Sequence, residues 1–323
     1  MKKTAFVTGM TGQDGPYLAK HLLENDYKVY GLVKRYSNPN LDNIKFLGIE
    51  KDIELLTGDI TDTGQMNHLL KSLQPNEFYN LAAQSFVGAS WELNRVTTEV
   101  NAMGVLNILN AIHQNSPTTK FYQASTSELY GNSIVDGTLN ENTNFRPRSP
   151  YGVSKLYAYW ITINFRESYS LFTTNGILFN HESPLRGKEF VTRKITDGVA
   201  KIKLGLEKTI TLGNLDARRD WGFAGDYVQA MHLMMQQDKP DDYVICTGVA
   251  NSIRQLLDTA FKHVGIDDWE SLVETNPKYK RPAEVHVLLG DNTKAKNKLG
   301  WQPKTTFEDM VKLMVDEDIK RNQ

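Results

Sequence analysis

Thr4-Ala5-Phe6-Val7-Thr8-Gly9-Met10-Thr11-Gly12-Gln13-Asp14-Gly15-Pro16-Tyr17 reads as a short buried strand that hands over to a helix through a glycine-rich turn. Ala5 to Thr8 is the strand, and apolar residues at helical spacing run from Tyr17 to Glu24. Between them, glycines at 9, 12 and 15 give G-x-x-G-x-x-G. Glycine permits the tight turn, and its missing side chain lets backbone N–H groups approach a pyrophosphate at the helix N-terminus. Glycine clusters also mark ordinary turns. The position between an N-terminal strand and an amphipathic helix is what makes this one a dinucleotide-binding expectation, with Gly9, Thr11, Gly12, Gln13, Asp14 and Gly15 as its cradle.

The pattern extends outward from that turn. Lys28 to Val33, Ile53 to Thr57, Phe78 to Leu81 and Phe121 to Ala124 read as further buried strands, with helical spacing in Gly64–Leu73 and Glu99–His113. Strands separated by helices pair in parallel through right-handed crossovers, which predicts an α/β fold with a doubly wound parallel sheet of the Rossmann type. This dinucleotide-binding part is expected over residues 1–180. Beyond Asn180 the alternation loosens, and helical patterns at Val191–Leu204, Gly225–Gln236, Ile253–Val264 and Phe307–Ile319 predict a smaller α/β substrate-binding part over 181–323.

Composition narrows the function classes. Of 323 residues, 37 are Lys or Arg and 38 are Asp or Glu, so no whole-chain field draws nucleic acid or anionic lipid. No run approaches a membrane span, and the opening apolar stretch is too short for a signal peptide, so a cytoplasmic enzyme is expected. The single cysteine, Cys246, follows the apolar run Tyr243-Val244-Ile245 and reads as a core thiol. No metal is expected.

The second strand ends in Val33-Lys34-Arg35. An acidic residue near this point binds the ribose 2′-OH of NAD, whereas a cation suits a 2′-phosphate, so Arg35 predicts NADP. Asp59 and Ile60 then fall near the adenine. Three further segments converge on the carboxyl edge of the sheet, where open α/β sheets bind ligands. One is Asn80-Leu81-Ala82-Ala83-Gln84-Ser85, whose small residues are expected to let the chain pass close to the cofactor. Another is Gln123-Ala124-Ser125-Thr126-Ser127-Glu128, and the last is Tyr151-Gly152-Val153-Ser154-Lys155. Tyr151 and Lys155 stand four apart and share a helix face. A free tyrosine is a poor base at neutral pH, with a pKa near ~10. A neighbouring ammonium and a cationic nicotinamide are expected to lower that value, so that Tyr151 takes a proton from a sugar hydroxyl. Glu128 adds a second proton-transfer group, which epimerisation at one carbon does not need and loss of water across two carbons does.

The glycine spacing resembles the short-chain dehydrogenase/reductase superfamily in its extended, sugar-nucleotide-modifying branch. Longer stretches are similar to one family within it, the GDP-mannose 4,6-dehydratases. They are Tyr79 to Ser85, Phe121 to Glu128, Arg148-Ser149-Pro150-Tyr151, Gly176 to Pro184, Phe190 to Lys194, Gly213 to Gly222, Arg281 to Val285 and Leu299-Gly300-Trp301. The resemblance implies that Thr126, Tyr151 and Lys155 oxidise C4 of GDP-D-mannose while Glu128 serves C5 and C6. Hydride returns within one cycle to give GDP-4-keto-6-deoxy-D-mannose, an intermediate shared by fucose, rhamnose, perosamine and talose routes. It also implies that His181 and Arg186 contact the cofactor. Ser85, Thr126, Ser127, Glu128, Asn180, Lys194, Arg218, Arg281 and Glu284 are implied to face the substrate. A homodimer or homotetramer is implied, with the loop from Arg35 to Asn43 reaching a neighbour's cofactor. Two departures weaken single positions: Asn94-Arg95-Val96 replaces the family's Pro-x-Tyr, and His286 replaces an acidic residue. Alternative readings are another nucleotide-sugar dehydratase or epimerase, acting on a GDP-heptose, UDP- or dTDP-sugar, and a non-catalytic NADP sensor.

Overall fold

The structure, a computed structural model, describes residues 2–36, 40–133, 137–276, 285 and 287–323. The first part of the chain alternates as the spacing predicts: β1 (Thr4–Val7), α1 (Asp14–Glu24), β2 (Lys28–Val33), α2 (Asp42–Phe46), β3 (Ile53–Thr57), α3 (Thr63–Leu73) and β4 (Glu77–Asn80). There follow α4 (Asn94–Thr98), a π-helical turn at Glu99–Met103, α5 (Gly104–Asn115), β5 (Lys120–Thr126), α6 (Pro150–Tyr169) and β6 (Thr173–Leu178). The second part holds β7 (Asn180–Glu182), α7 (Val191–Lys203), β8 (Ile210–Leu212), β9 (Arg218–Phe223), α8 (Ala224–Met235), β10 (Tyr243–Ile245), β11 (Ala250–Ser252) and α9 (Ile253–His263). It ends with β12 (Val273–Thr275), β13 (Val287–Leu288), α10 (Thr293–Leu299) and α11 (Phe307–Asn322).

The main sheet has seven strands in the order β10-β6-β5-β4-β1-β2-β3, and all its pairings are parallel. Connections leave β1 in both directions, so a crevice opens at the carboxyl ends of β1 and β4, the switch point of a doubly wound sheet. Side chains alternate between its two faces. Ala5, Val7, Val29 and Tyr79 pack with Leu18 and Leu22 of α1 and Met231 and Met235 of α8. Phe6, Leu32, Phe78 and Phe121 pack on Met66 and Leu70 of α3, Ile108 and Ile112 of α5, and Phe165 of α6.

The chain crosses residue 180 and then returns. Helix α8 packs on α1, β10 pairs with β6 in the main sheet, and Ala295, Leu299 and Trp301 join the same face. The other later elements form their own layer, in which α7, α9 and α11 enclose Trp221 of β9. Strand β7 joins the layers, since it directly follows β6 and pairs with β9, Asn180 opposite Trp221.

Strand β6 has no clear apolar signature. Thr173, Thr174 and Asn175 are nevertheless fully buried. Thr173 Oγ1 donates to Thr162 O at 2.7 Å, and Asn175 Nδ2 donates to Asp242 Oδ1 at 3.0 Å. Polar residues survive in a central strand because neighbours take up most of their hydrogen bonds, Asn175 Oδ1 having no partner among the described residues.

Candidate active site

The glycine turn has the geometry a phosphate cradle needs. Gly9 has φ +72°, and a Cβ there would lie 2.8 Å from the Leu81 carbonyl carbon. At Gly15 a Cβ would lie 2.6 Å from Gly9 O. Only glycine allows β1, the start of α1 and the segment after β4 to approach so closely. Gly12 N donates to Gly9 O at 3.0 Å. From α2, Asn43 Nδ2 donates to Gly12 O at 2.9 Å, bracing the turn from behind. Thr11 is exposed at its tip, whereas Gln13 is buried. Gln13 accepts from Ser183 Oγ at 2.9 Å and donates to His181 O at 3.0 Å, tying the turn to β7.

At the end of β2, Lys34 Nζ pairs with Asp59 Oδ2 at 3.0 Å, and Arg35 is exposed beside it. Burial pushes the Asp59 carboxyl up. Hydrogen bonds from Thr61 and Lys34 outweigh that and hold it below the ordinary carboxylate value. Ile60 is buried against Gly104, where a Cβ would lie 2.7 Å from its side chain.

The catalytic corner is built by a line of buried side chains across the strand ends. Thr8 Oγ1 donates to Asn80 Oδ1 at 2.8 Å, Asn80 Nδ2 to Gln123 Oε1 at 2.8 Å, and Gln123 Nε2 to Ala124 O at 2.9 Å. Lys155 Nζ donates to the same Ala124 carbonyl at 2.9 Å. Thr8 Oγ1 also accepts from the backbone N–H groups of Leu81 and Ala82, both at 3.0 Å. Nothing in the spacing singles out Thr8, Asn80 or Gln123, yet they lock the relative positions of β1, β4, β5 and α6. Asn101, in the π-helical turn, does the same for the segment after β4. Its amide accepts from Gln84 N at 2.9 Å and donates to Gln84 O at 3.0 Å and Ser154 Oγ at 3.2 Å. The Gln84 side chain is used locally, donating to Thr97 Oγ1 at 3.1 Å and accepting from Phe86 N at 2.7 Å.

Helix α6 starts sharply, with Ser149 Oγ accepting from Gly152 N at 3.0 Å and Pro150 in the first turn. Tyr151 and Lys155 therefore face the end of β5, where Thr126 caps one 3₁₀ turn, Ser127–Leu129, and Thr126 Oγ1 accepts from Glu128 N at 3.2 Å. Thr126, Glu128 and Tyr151 are each 8% exposed and Lys155 3%. One cavity is lined by all four together with Asp14, Leu81, Ala83, Ser85, Phe86, Ser127, Asn180, His181, Arg186 and Phe190. Ser125 also lines it, and its buried hydroxyl has no hydrogen-bond partner among the described residues. A buried donor of this kind fits a ligand that brings the missing partner.

Burial dominates the electrostatics of the Tyr151 and Lys155 pair. Burial pushes the Tyr151 phenol up to about 12, against the opposing hydrogen bond from Thr126. Burial brings the Lys155 ammonium down to about 8, and its hydrogen bond goes to the Ala124 carbonyl. Desolvation is the largest cause for both groups, disfavouring phenolate and ammonium alike.

The opposite wall comes from β7 and the loop into α7. Asp14 Oδ2 and His181 Nε2 lie 2.8 Å apart. Arg186 stands 3.0 Å from Glu182, with its guanidinium carbon 3.5 Å from the centre of the Phe190 ring. Phe190 in turn meets Phe86 edge-on at 5.6 Å, so rings from the two layers face each other at the cavity. Lys194 is half-buried one turn into α7. Arg218 is exposed at the start of β9, donating to Ala250 O at 3.0 Å. Arg281 and Glu284, like His286, lie outside the described residues.

Comparison with known proteins gives this geometry a family. A family model described as GDP-mannose 4,6 dehydratase matches residues 6–314. GDP-mannose 4,6 dehydratase 1 of Arabidopsis thaliana is 47% identical over 329 residues, covering 99% of this chain and 90% of that protein. The GDP-mannose 4,6 dehydratase of Homo sapiens is 47% identical over 343 residues, covering 99% and 92%. Among solved structures, a Thermus thermophilus UDP-glucose 4-epimerase in complex with NAD superposes with a TM-score of 0.86 at 25% identity, covering 98% of each chain. The match runs through the glycine turn, the catalytic corner and the second layer alike, and the chain belongs to the GDP-mannose 4,6-dehydratase family.

Proposed function

We propose that the protein binds NADP and converts GDP-D-mannose to GDP-4-keto-6-deoxy-D-mannose with loss of water. The observation that carries this reading is the placement of Glu128 in one buried cavity with Thr126, Tyr151 and Lys155. Family membership supports the substrate.

The glycine turn and the N-terminus of α1 would hold the cofactor's pyrophosphate. Arg35 would hold its 2′-phosphate, while Tyr151, Lys155, His181 and Arg186 would surround the nicotinamide half. When bound, NADP supplies the hydride acceptor at C4 and donor at C6, and its cationic ring favours the Tyr151 phenolate that burial alone disfavours. Thr126 orients the sugar O4, and Tyr151 takes its proton, with the nearby Lys155 charge favouring the transfer. The 4-keto group acidifies the C5 proton, which Glu128 removes. Glu128 then returns a proton to the C6 oxygen as water leaves. Once C6 is reduced, C5 takes a proton from water while Tyr151 releases the O4 proton to water, which closes the cycle.

Asn180, Lys194, Arg218, Arg281 and Glu284 are assigned to the GDP moiety, where cations suit a diphosphate and a carboxylate suits ribose hydroxyls. The elements after residue 180 that do not return to the main sheet form the substrate-binding part. Trp91, Leu93, Val96, Val153, Tyr157 and Trp160 are exposed around the packed pair α4 and α6. An apolar face of that composition supports a homo-oligomer. The composition and the absence of a membrane-spanning helix among the described residues support a cytoplasmic enzyme. Offering GDP-mannose, UDP-glucose and dTDP-glucose in parallel tests the reading. A 4-keto-6-deoxy product from GDP-mannose alone is expected, and turnover of either other sugar in its place would overturn it.

A further inference from the structure

The site presents an electrostatic conflict. Helix α1 begins at Asp14, so a carboxylate occupies the helix end to which backbone N–H groups would draw a pyrophosphate. An acidic side chain stabilises a helix there, yet it repels a polyanion.

His181 resolves the conflict. Its Nε2 lies 2.8 Å from Asp14 Oδ2, and its Nδ1 lies 2.8 Å from Phe179 O. A carbonyl and a carboxylate are both acceptors, so each ring nitrogen carries a proton and the ring is an imidazolium. Tyr227 of α8 stacks on it at 4.7 Å, closing the side away from the cavity. The pair is largely buried, with side-chain exposure of 21% for Asp14 and 11% for His181. Gln13 Nε2 gives Asp14 its other hydrogen bond, at 3.0 Å.

We propose that His181 acts on cofactor affinity through Asp14, its imidazolium cancelling a carboxylate that would otherwise face the incoming pyrophosphate. This rests on the reading that NADP binds at the glycine turn, and it gives the two residues one joint role. Losing the histidine charge alone is then worse than losing both charges. The other charged or titratable groups around the pair are Arg186 after β7, Tyr17 of α1, Tyr122 of β5, and Tyr151 and Lys155 of α6. Of these, Arg186 is a further cation that acts on both members of the pair, and Lys155 acts on Asp14. Burial alone would push the imidazole down, but Asp14 and the Phe179 carbonyl hold it above the ordinary histidine value. Burial likewise pushes Asp14 up, and His181 more than offsets that, keeping it ionised. The ion pair is therefore lost as pH rises through the raised histidine value.

The test is NADPH affinity of the full chain by fluorescence titration, a binding readout independent of turnover. His181→Gln should weaken NADPH by about 10- to 100-fold, the range of a typical coupling energy. Asp14→Asn sets the reference, whatever its own offset, and the double variant should recover to within about fivefold of it. Effects that simply add, leaving the double variant as weak as His181→Gln or weaker, would overturn the proposal. Should His181→Gln fail to fold, a pH series on wild type and Asp14→Asn decides. Above about pH 7 the phosphates are already ionised, and both proteins share the loss of the Lys155 ammonium near 8, so as pH rises wild-type affinity should fall more steeply than that of Asp14→Asn. Parallel profiles would contradict the coupling. Wild-type protein that takes up no NADPH would overturn the cofactor reading itself, a result distinct from additivity.

Discussion

The two walls of the cavity are built differently. On the wall formed by β5 and α6, every reacting side chain is almost wholly buried, and the strand ends behind it are cross-linked from Thr8 through Asn80 and Gln123 to the Ala124 carbonyl that Lys155 shares. On the side formed after β7, the groups assigned to the diphosphate lie outside the cavity lining, Arg218 exposed and Lys194 half-buried. The rigidity there lies deeper, where Arg193 Nε donates to the fully buried Asp318 at 2.7 Å and Thr196 donates to it at 2.7 Å, pinning α7 to α11. Arg193 also donates to the carbonyls of Pro184 and Arg186, at 2.7 and 2.9 Å, which holds the loop carrying Arg186. The difference separates two tasks. Proton transfer needs groups fixed in place, because misplacement by about an ångström costs on the order of a hundredfold in rate. Recognition of a diphosphate tolerates side chains that adjust.

Substitutions on the two walls should therefore fail in different ways. Tyr151→Phe removes the group that takes the O4 proton, and turnover should fall by about 10²–10⁴-fold, with bound nucleotide still visible in the absorbance of the purified protein. A loss below about tenfold would remove Tyr151 from the chemistry. Glu128→Gln should lower product formation by about 10²–10³-fold while oxidation at C4 survives. Incubation in deuterated water would then leave C5 unlabelled, and exchange persisting at C5 would show that another group removes that proton. Arg218→Ala, on the adjustable side, should raise KM by about tenfold with kcat little changed. An equal fall in kcat would place Arg218 in the transition state and erase the contrast.

How much of this was legible depended on whether a signal was local. Strands β2 and β3 carry runs of apolar residues, and their limits match the spacing residue for residue. Helix α1 begins at Asp14, before its apolar period starts at Tyr17, because the turn's own Gly15 and Pro16 already form the first helical turn. Thr126, Glu128, Tyr151 and Lys155 were legible as residue types at telling distances from a strand end and along a helix face. The bracing line through Thr8, Asn80 and Gln123 was not, because a polar residue in a strand pattern does not announce which neighbour satisfies it. Strand β6 was hidden for the same reason, its Thr173 and Asn175 being paired across the fold. The return of α8 and β10 to the main sheet is a matter of spatial adjacency, which periodicity does not encode. The sign of the Tyr151 shift depends on depth of burial, and spacing on a helix carries no information about depth.

The central claim is that one cavity oxidises C4, removes water across C5 and C6, and reduces C6 of the same sugar without outside reductant. GDP-mannose carrying deuterium at C4, supplied to the purified protein with no added NADPH, tests it most directly. Product is expected to carry that deuterium at C6 of the same molecule. Product with hydrogen at C6, or accumulation of deuterated NADPH in place of product, would contradict it.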